Sequence, residues 1–399
     1  MNADTRFIAE PVTLDRIFEV NAHASLVLEA ARERMLEPHP RKKPPVYTGL
    51  QVAQLCGITK PRLNYLVGRP NCSVPVGRVD GKNRMFTLAE TREWVKQINE
   101  EYVARPDGAE GLVISCSNLK GGSTKTTTAL HLAQGLSLRG RKVLLVDLDS
   151  QCSLTTLCDR MPESEVQDEE TVMPFFYGDE PDLRYAAKPT YWDGVDLIPA
   201  TFSLFQIEVV LPVQASEDGE FEFWSLLERG LAPLRKDYDV IIIDTPPSLS
   251  YLTFNAIYAA NGIVMPMPPE AIDFASSAMF WRLFSDLFRI VNLRLKRQNK
   301  PELTKVFDFI NVLLSRVNTQ NVATSVVRSW ISAAYEDMVL PVEIPSSGVT
   351  SGKASEFGSI YDISQYQGDR RTYQRIREAC DRFVELVDQQ IVCAWNRGV

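Results

Sequence analysis

Residues Asn118 to Thr128, which read Asn-Leu-Lys-Gly-Gly-Ser-Thr-Lys-Thr-Thr-Thr, constrain this chain more than any other stretch. An apolar run, Gly111 to Cys116, precedes them, and a helical pattern from Thr126 to Arg139 follows. A glycine-rich turn between a buried strand and a helix, ending in Lys-Thr, is how a chain cradles the phosphates of a nucleotide. Backbone N–H groups and the helix N-terminus face the anion, the lysine reaches the terminal phosphates, and the hydroxyl binds magnesium. Gly121, Gly122, Ser123, Thr124, Lys125, Thr126 and Thr127 are therefore the candidate cradle. Lys120 is a second cation that simple phosphate binding does not need.

A loop of this kind belongs in an α/β domain, and the rest of the chain supplies one. Leu112–Cys116, Val143–Leu148, Val195–Pro199, Val240–Asp244, Ile263–Met267 and Phe307–Leu314 are short runs rich in Val, Ile and Leu, alternating with helical stretches. Near-continuous apolar strands are buried on both faces, as in a parallel sheet. The expected fold is α/β, with a doubly wound, mostly parallel sheet and its ligand beyond the strand C-termini.

Two of these strands end in carboxylates. Asp147 and Asp149 stand two residues apart, which on a strand places them on one face, and Asp244 closes the run Val240–Asp244. The first strand end reads Asp147-Leu148-Asp149-Ser150-Gln151, and the other continues Thr245-Pro246-Pro247-Ser248.

The lysine-glycine-glycine loop departs from the strict pattern G-x-x-x-x-G-K-[ST]: Leu119 holds the first glycine position and Thr124 the last. The form K-G-G-x-x-K-T resembles the deviant Walker A motif of the ParA/MinD family of ATPases. Residues 147–151 are similar to that family's D-x-D-P-Q motif, with Ser150 in place of proline, and Val240–Asp244 to its Walker B strand. The resemblance implies a P-loop ATPase domain that hydrolyses ATP to ADP with Mg²⁺. In it Lys120, Lys125 and Asp149 are catalytic: Lys120 crosses a dimer interface to the partner's nucleotide as an arginine finger does, and Asp149 positions the attacking water. Thr126 would ligate the metal directly, Asp244 through a water, and Asp147 would support its shell. The segment Pro266 to Phe274 resembles the strand-end loop bordering nucleotide and dimer interface in partition ATPases.

Charge is unevenly spread. The chain of 399 residues carries a net −8, yet residues 41–84 hold nine Lys/Arg against the single acid Asp80. Such local asymmetry suits a DNA-binding module inside an acidic protein. Thr48 to Val67 has helix-turn-helix spacing: Thr48 caps a first helix, Ala53 is small at the crossing, Gly57 makes the turn, and Thr59 caps a second helix with Pro61 in its first turn. That helix presents Lys60, Arg62, Asn64 and Tyr65, residue types that reach bases and phosphates in the major groove. Val76 to Phe86 reads as a hairpin about Asp80-Gly81 carrying Arg78, Lys82 and Arg84, and Thr87…Glu90 as the capping box of a third helix. Together they predict a winged helix-turn-helix domain.

Residues 1–45 are read as an N-terminal helical arm and linker, a dimerisation candidate, with an amphipathic helix over 12–36 before the prolines Pro40, Pro44 and Pro45. The winged helix-turn-helix domain takes residues 46–105 and the ATPase domain residues 106–399. This layout resembles the larger, plasmid-type ParA proteins. It implies segregation of a plasmid or replicon by a homodimer working with a ParB-like centromere-binding partner. The ATP-bound dimer would bind chromosomal DNA non-specifically, and the ADP or apo form would bind operator DNA and repress its own operon. Arg370, Arg371 and Arg375 on the last helix are candidates for the non-specific contacts. Partition ATPases carry a similar Ile-Pro then Phe-Gly passage, here Ile344-Pro345-Ser346-Ser347 and Glu356-Phe357-Gly358, with Ser346 where an arginine is usual.

Other classes fit less well. Seven cysteines without a C-x-x-C pair and only three histidines argue for thiols in a reducing cytosol and against a zinc centre. The expected location is bacterial, cytoplasmic and nucleoid-associated. A MinD-like membrane ATPase would need a basic amphipathic C-terminal helix, and residues 383–399 lack the lysines. A nucleotide-regulated transcriptional repressor without a segregation role is the remaining alternative.

Overall fold

The apolar runs become the inner strands of one sheet. The computed structural model describes residues 12–35, 41–69, 73–318, 320–346, 358–363 and 369–397, with only the backbone of residue 25 and residues 28–35. Ser347, Glu356 and Phe357, residues 36–40 of the linker, and Cys72 lie outside the described residues.

In chain order the elements are α1 (Leu14–Met35), β1 (Tyr47–Thr48), α2 (Gly49–Leu55), α3 (Lys60–Val67), β2 (Arg78–Asp80), β3 (Asn83–Phe86), α4 (Leu88–Ile98) and α5 (Glu100–Val103). Then come β4 (Leu112–Cys116), α6 (Lys125–Leu138), β5 (Val143–Asp147), α7 (Ser153–Leu157), α8 (Met173–Tyr177), β6 (Lys188–Pro189), β7 (Val195–Ile198), α9 (Ile207–Glu217), α10 (Leu226–Leu231) and β8 (Val240–Asp244). The chain continues through α11 (Tyr251–Ala259), β9 (Gly262–Met267), α12 (Ala271–Arg297), β10 (Phe309–Val317), α13 (Val322–Tyr335), β11 (Val339–Pro345) and α14 (Arg370–Arg397).

The large sheet has the order β11-β10-β9-β4-β8-β5-β7-β6, parallel everywhere except at the β6–β7 edge. β4 is central, with β8 on one side and β9 on the other, so the chain leaves it at a point where the winding reverses direction. Ligands bind in the crevice that such a point opens beyond the strand ends. The register is in phase there: Cys116 pairs with Asp244, and Asp244 with Asp147. Two strands were not expected from the sequence, the edges β6 and β11. Pro341, Glu343 and Pro345 interrupt the apolar pattern of β11, which an edge strand tolerates because its outer N–H groups go unpaired. β10 starts at Phe309, not Phe307, and runs on to Val317.

Helices cover both faces. Leu112, Ile114 and Cys116 of β4 share a buried cluster with Leu132 and Leu136 of α6 and Val384, Val387 and Ile391 of α14, while Val113 belongs to the opposite face with Leu252 and Ala256 of α11. α6 and α14 touch at Gly135, where a Cβ would stand 2.5 Å from Val384 Cγ2, so only glycine permits this approach. The stripe of α14 is thus spent on α6. No helix among the described residues is long and apolar enough to cross a membrane.

The N-terminal region forms much as its caps dictate. Thr48 and Gln51 make a reciprocal capping box on α2, and the Thr59 hydroxyl accepts from the Arg62 N–H at 3.4 Å at the start of α3. Gly57 and Gly81 take φ of +67° and +58° in the two turns. β1, β3 and β2 make a small antiparallel sheet, and Thr87 and Glu90 cap α4. The core of this region, Val52, Leu63, Phe86 and Trp94, is continuous with the α6–α14 cluster. On α1, Leu14, Ile17 and Phe18 are exposed.

Part of the basic excess is used internally. Arg41 pairs with Glu165 and donates to the Asp159 carbonyl, and Lys42 Nζ donates to the Leu157 carbonyl at 2.7 Å and to Asp362 at 3.3 Å. The stretch read as a linker is therefore docked at residues 41–42.

Candidate nucleotide site and basic module

The cradle is built at the C-terminal end of β4. Gly122 turns the chain at φ +76°. Thr124 follows with φ 72° and ψ 19°. Glycine enters this left-handed region freely, whereas a β-branched side chain enters it at a cost of about 1–2 kcal/mol. Lys125 then opens α6, which places its ammonium at the positive end of the helix dipole. That side chain is buried, donates to the Lys120 carbonyl at 3.1 Å, and has its pKa lowered by burial against the pull of Asp244 and Asp149. A buried cation with one carbonyl partner beside a turn rich in N–H groups is a receptor for a polyanion.

Asp244 is fully buried, and neither of its carboxylate oxygens has a hydrogen-bond partner among the described residues; the buried Ser123 hydroxyl also lacks one. Burial, and next the charge of Asp147, push the Asp244 carboxyl well above the usual range, while Thr126 and Lys125 beside it pull the other way. Two orphaned oxygens in the interior are costly unless something else completes them. With the Thr126 hydroxyl at hand they suit a hard divalent cation that keeps several waters, such as Mg²⁺. The residues present fit a Mg²⁺–nucleotide.

Asp147, expected to support the metal shell, accepts three hydrogen bonds from its own surroundings. Its Oδ1 accepts from the Asp149 N–H at 3.1 Å, and its Oδ2 accepts from the Thr155 N–H at 2.9 Å and the Thr155 hydroxyl at 2.7 Å. Thr155 Oγ1 in turn accepts from the Ala200 N–H at 2.9 Å. Burial raises the Asp147 carboxyl to about 7 against these donors. These bonds brace the loop that carries Asp149 and tie β5 to the end of β7. Asp149 lies further out, its Oδ1 accepting from the Gln151 N–H at 3.0 Å, with its pKa raised by burial and lowered by Lys125. Asp149 thus faces the cradle lysine together with Asp244.

Lys120 is held by two acids from the following crossover. Its ammonium pairs with Asp273, which is buried on the first turn of α12, and lies 3.6 Å from Glu270. The bond to Asp273 raises the Lys120 pKa, whereas burial outweighs that attraction at Asp273 and leaves its carboxyl raised. Sequence reading placed residues 266–274 beside the site without assigning these two acids a partner. Thr155, Asp273 and Glu270 carry no local signature, since each acts on a residue far away in sequence. Arg316 is a further neighbour: its Nη1 donates to the Gly122 carbonyl at 3.3 Å.

On the basic module Lys60, Arg62, Asn64 and Tyr65 are all exposed along α3, and Arg62 and Arg69 flank the Tyr65 ring at 5.5 and 5.2 Å. Arg78 and Lys82 are exposed on the hairpin, whereas Arg84 turns back to the Val76 carbonyl. Arg370, Arg371 and Arg375 are exposed at the start of α14. Arg377, on the same helix, instead covers the Tyr361 ring at 4.2 Å and pairs with Asp381. α4 joins the module to the body: Arg92 is buried and donates to the Ser137 and Arg141 carbonyls at 3.0 Å each, at the far end of the helix that begins with Lys125.

Residues 111–297 match the AAA domain family. Protein SopA of Escherichia coli strain K12 is 34% identical over 271 residues, covering 66% of this chain and 66% of its own. The chromosome partitioning protein ParA of Myxococcus xanthus is 31% identical over 256 residues, 63% of this chain and 82% of its own. Among solved structures, a partition protein aligns over 94% of this chain and 98% of its own with a TM-score of 0.63 at 17% identity, a likeness of fold. The cobyrinic acid a,c-diamide synthase of Mycobacterium smegmatis, solved with an ATP analogue and magnesium, aligns over 69% of this chain and 94% of its own, with a TM-score of 0.52 at 27% identity. Joined to a parallel sheet whose phosphate loop, paired lysines and strand-end aspartates converge on one crevice, these likenesses decide the matter: the chain belongs to the ParA family of partition ATPases.

Proposed function

We propose that this protein segregates a plasmid or similar replicon by an ATP-driven cycle of DNA binding. The observation that carries the reading is the pair of orphaned Asp244 oxygens beside Thr126 and Lys125, in a crevice that also holds a second lysine, Lys120. ATP is the nucleotide, with Gly121 to Thr127 around its phosphates and Lys125 neutralising their charge. Magnesium, held by Thr126 and Asp244, supplies charge neutralisation at the phosphate oxygens. Asp149, braced through Asp147 and Thr155, orients the attacking water.

Lys120 is the switch element of the proposal. In this structure it rests on Asp273 and Glu270. In the dimer it leaves these acids for the partner's nucleotide, which makes ATP part of the dimer contact. α3 and the hairpin serve operator recognition in the ADP or apo state through Lys60, Arg62, Asn64, Tyr65, Arg78 and Lys82. Arg84 supports the hairpin base. Arg370, Arg371 and Arg375 serve salt-sensitive contacts to nucleoid DNA in the ATP state. The partner that stimulates hydrolysis is a ParB-like centromere-binding protein, and the place of action is the cytoplasmic nucleoid.

The test is a plasmid-retention assay paired with ATPase measurements. Lys120→Ala should abolish hydrolysis and retention while the folded protein still binds ATP, and Asp149→Ala should bind ATP and accumulate as dimer. Normal retention on deleting the gene would overturn the segregation role. Full hydrolysis by Lys120→Ala would overturn the role of that lysine.

A further inference from the structure

β10 does not end as a regular strand. Its register against β11 shifts between Val312 and Leu314 and again between Leu314 and Val317, and within the second shift Arg316 takes φ +51°. A bulge of this kind bends the strand and re-aims a side chain. A non-glycine residue in the left-handed region persists where its surroundings hold it there, and such residues gather at functional sites.

The re-aimed residue meets the phosphate loop. Arg316 Nη1 donates to the Gly122 carbonyl at 3.3 Å, and the preceding buried Ser315 donates from Oγ to the Ser123 carbonyl at 3.5 Å. Two successive residues of one strand thus hold two successive carbonyls of the loop, those between the left-handed φ of Gly122 and that of Thr124. Carbonyls drawn toward β10 leave the adjoining N–H groups to face the other way, into the cradle. Asp273, the carboxylate that holds Lys120, also feels the positive charge of Arg316.

We propose that Arg316 is a positioning residue of the nucleotide site, which fixes the Gly122 carbonyl so that the loop's N–H groups converge on the phosphates. This rests on the nucleotide reading given above. The left-handed backbone at Arg316 favours one variant: Arg316→Gly enters this φ without steric strain and removes the side chain with its guanidinium, while Arg316→Lys keeps a cationic donor. Full-length wild type, Arg316→Gly and Arg316→Lys are compared by titration with a fluorescent ATP analogue and Mg²⁺, by steady-state hydrolysis, and by thermal unfolding without nucleotide.

The expected result is a Kd and KM for nucleotide raised about tenfold in Arg316→Gly, the scale of losing one charge-assisted hydrogen bond. Its kcat should change by less than about threefold, because Lys120 and Asp149 keep their own hydrogen-bond partners, and its unfolding temperature without nucleotide should not fall. Arg316→Lys, which can still donate to the same carbonyl, should recover most of the affinity. Binding by Arg316→Gly within twofold of wild type would overturn the proposal, as would a loss of affinity matched by a loss of stability without nucleotide. If wild type bound no nucleotide, the nucleotide reading would fall first and this inference with it.

Discussion

Asp388 is predicted to be worth more to this fold than any exposed ion pair. It lies fully buried on α14 and accepts from Arg141 Nε at 2.8 Å, Arg139 Nε at 2.9 Å and the Tyr102 hydroxyl at 2.8 Å. The Asp388→Ala variant strands these donors unequally. Arg139 has a side chain 32% exposed and Tyr102 is exposed as well, so both can turn to water. Arg141 is wholly buried between the Trp395 and Tyr102 rings and keeps only the Val103 and Tyr102 carbonyls, at 2.6 and 3.2 Å. Removing one partner of a buried pair costs about 3–5 kcal/mol because the other charge stays desolvated. The two remaining carbonyls place this case near 3 kcal/mol, a large share of a stability of about 5–15 kcal/mol. At about 2–4 °C per kcal/mol for domains of roughly this size, thermal unfolding should come about 6–12 °C earlier. The double variant Arg141→Met/Asp388→Leu, which removes both charges, should recover part of that loss. Unfolding of Asp388→Ala within about 1 kcal/mol of wild type would refute the reasoning, since an unpaired interior guanidinium cannot be that cheap.

Three further outcomes follow from the geometry. Gly135→Ala drives a methyl into Val384 and should destabilise by about 1–3 kcal/mol, read as a lower urea midpoint. With Asp147 raised to about 7, the folded chain keeps a proton that the unfolded chain, near 3.8, has lost. The nucleotide-free protein should therefore lose stability as pH rises through the window from about 4 to 7, and urea titrations at pH 5 and 7.5 should show a flatter dependence in Asp147→Asn. Arg62→Ala on the exposed face of α3 should weaken an operator footprint at least about fivefold and leave ATP hydrolysis unchanged; an intact footprint would remove α3 from the recognition role.

The loop at 118–128 could be read before folding because its chemistry is local. Glycine placement, the lysine that opens a helix and the strand before it are neighbours in the chain. The same holds for the carboxylates at 147, 149 and 244, which mark strand ends, and for the threonines 48, 59 and 87, which cap helices by accepting from the N–H three residues ahead. Two sets of partners were hidden from the sequence for the opposite reason. Thr155, eight residues on, donates to Asp147 from its N–H and its hydroxyl. Arg41 and Lys42, read within the linker, meet Glu165 and Asp362, which lie more than 100 residues away in sequence.

By itself, then, the sequence determined that a phosphate cradle would stand at the C-terminal ends of parallel strands, because backbone periodicity and turn chemistry act over a few residues. Tertiary structure alone decided who completes the site. Asp273 and Glu270 reach Lys120 across about 150 residues of chain, and Arg316 reaches Gly122 across more. Those partners are chosen by strand order and by a bulge in β10, and a desolvated charge or carbonyl registers only what lies within a few ångströms, whatever its distance in sequence.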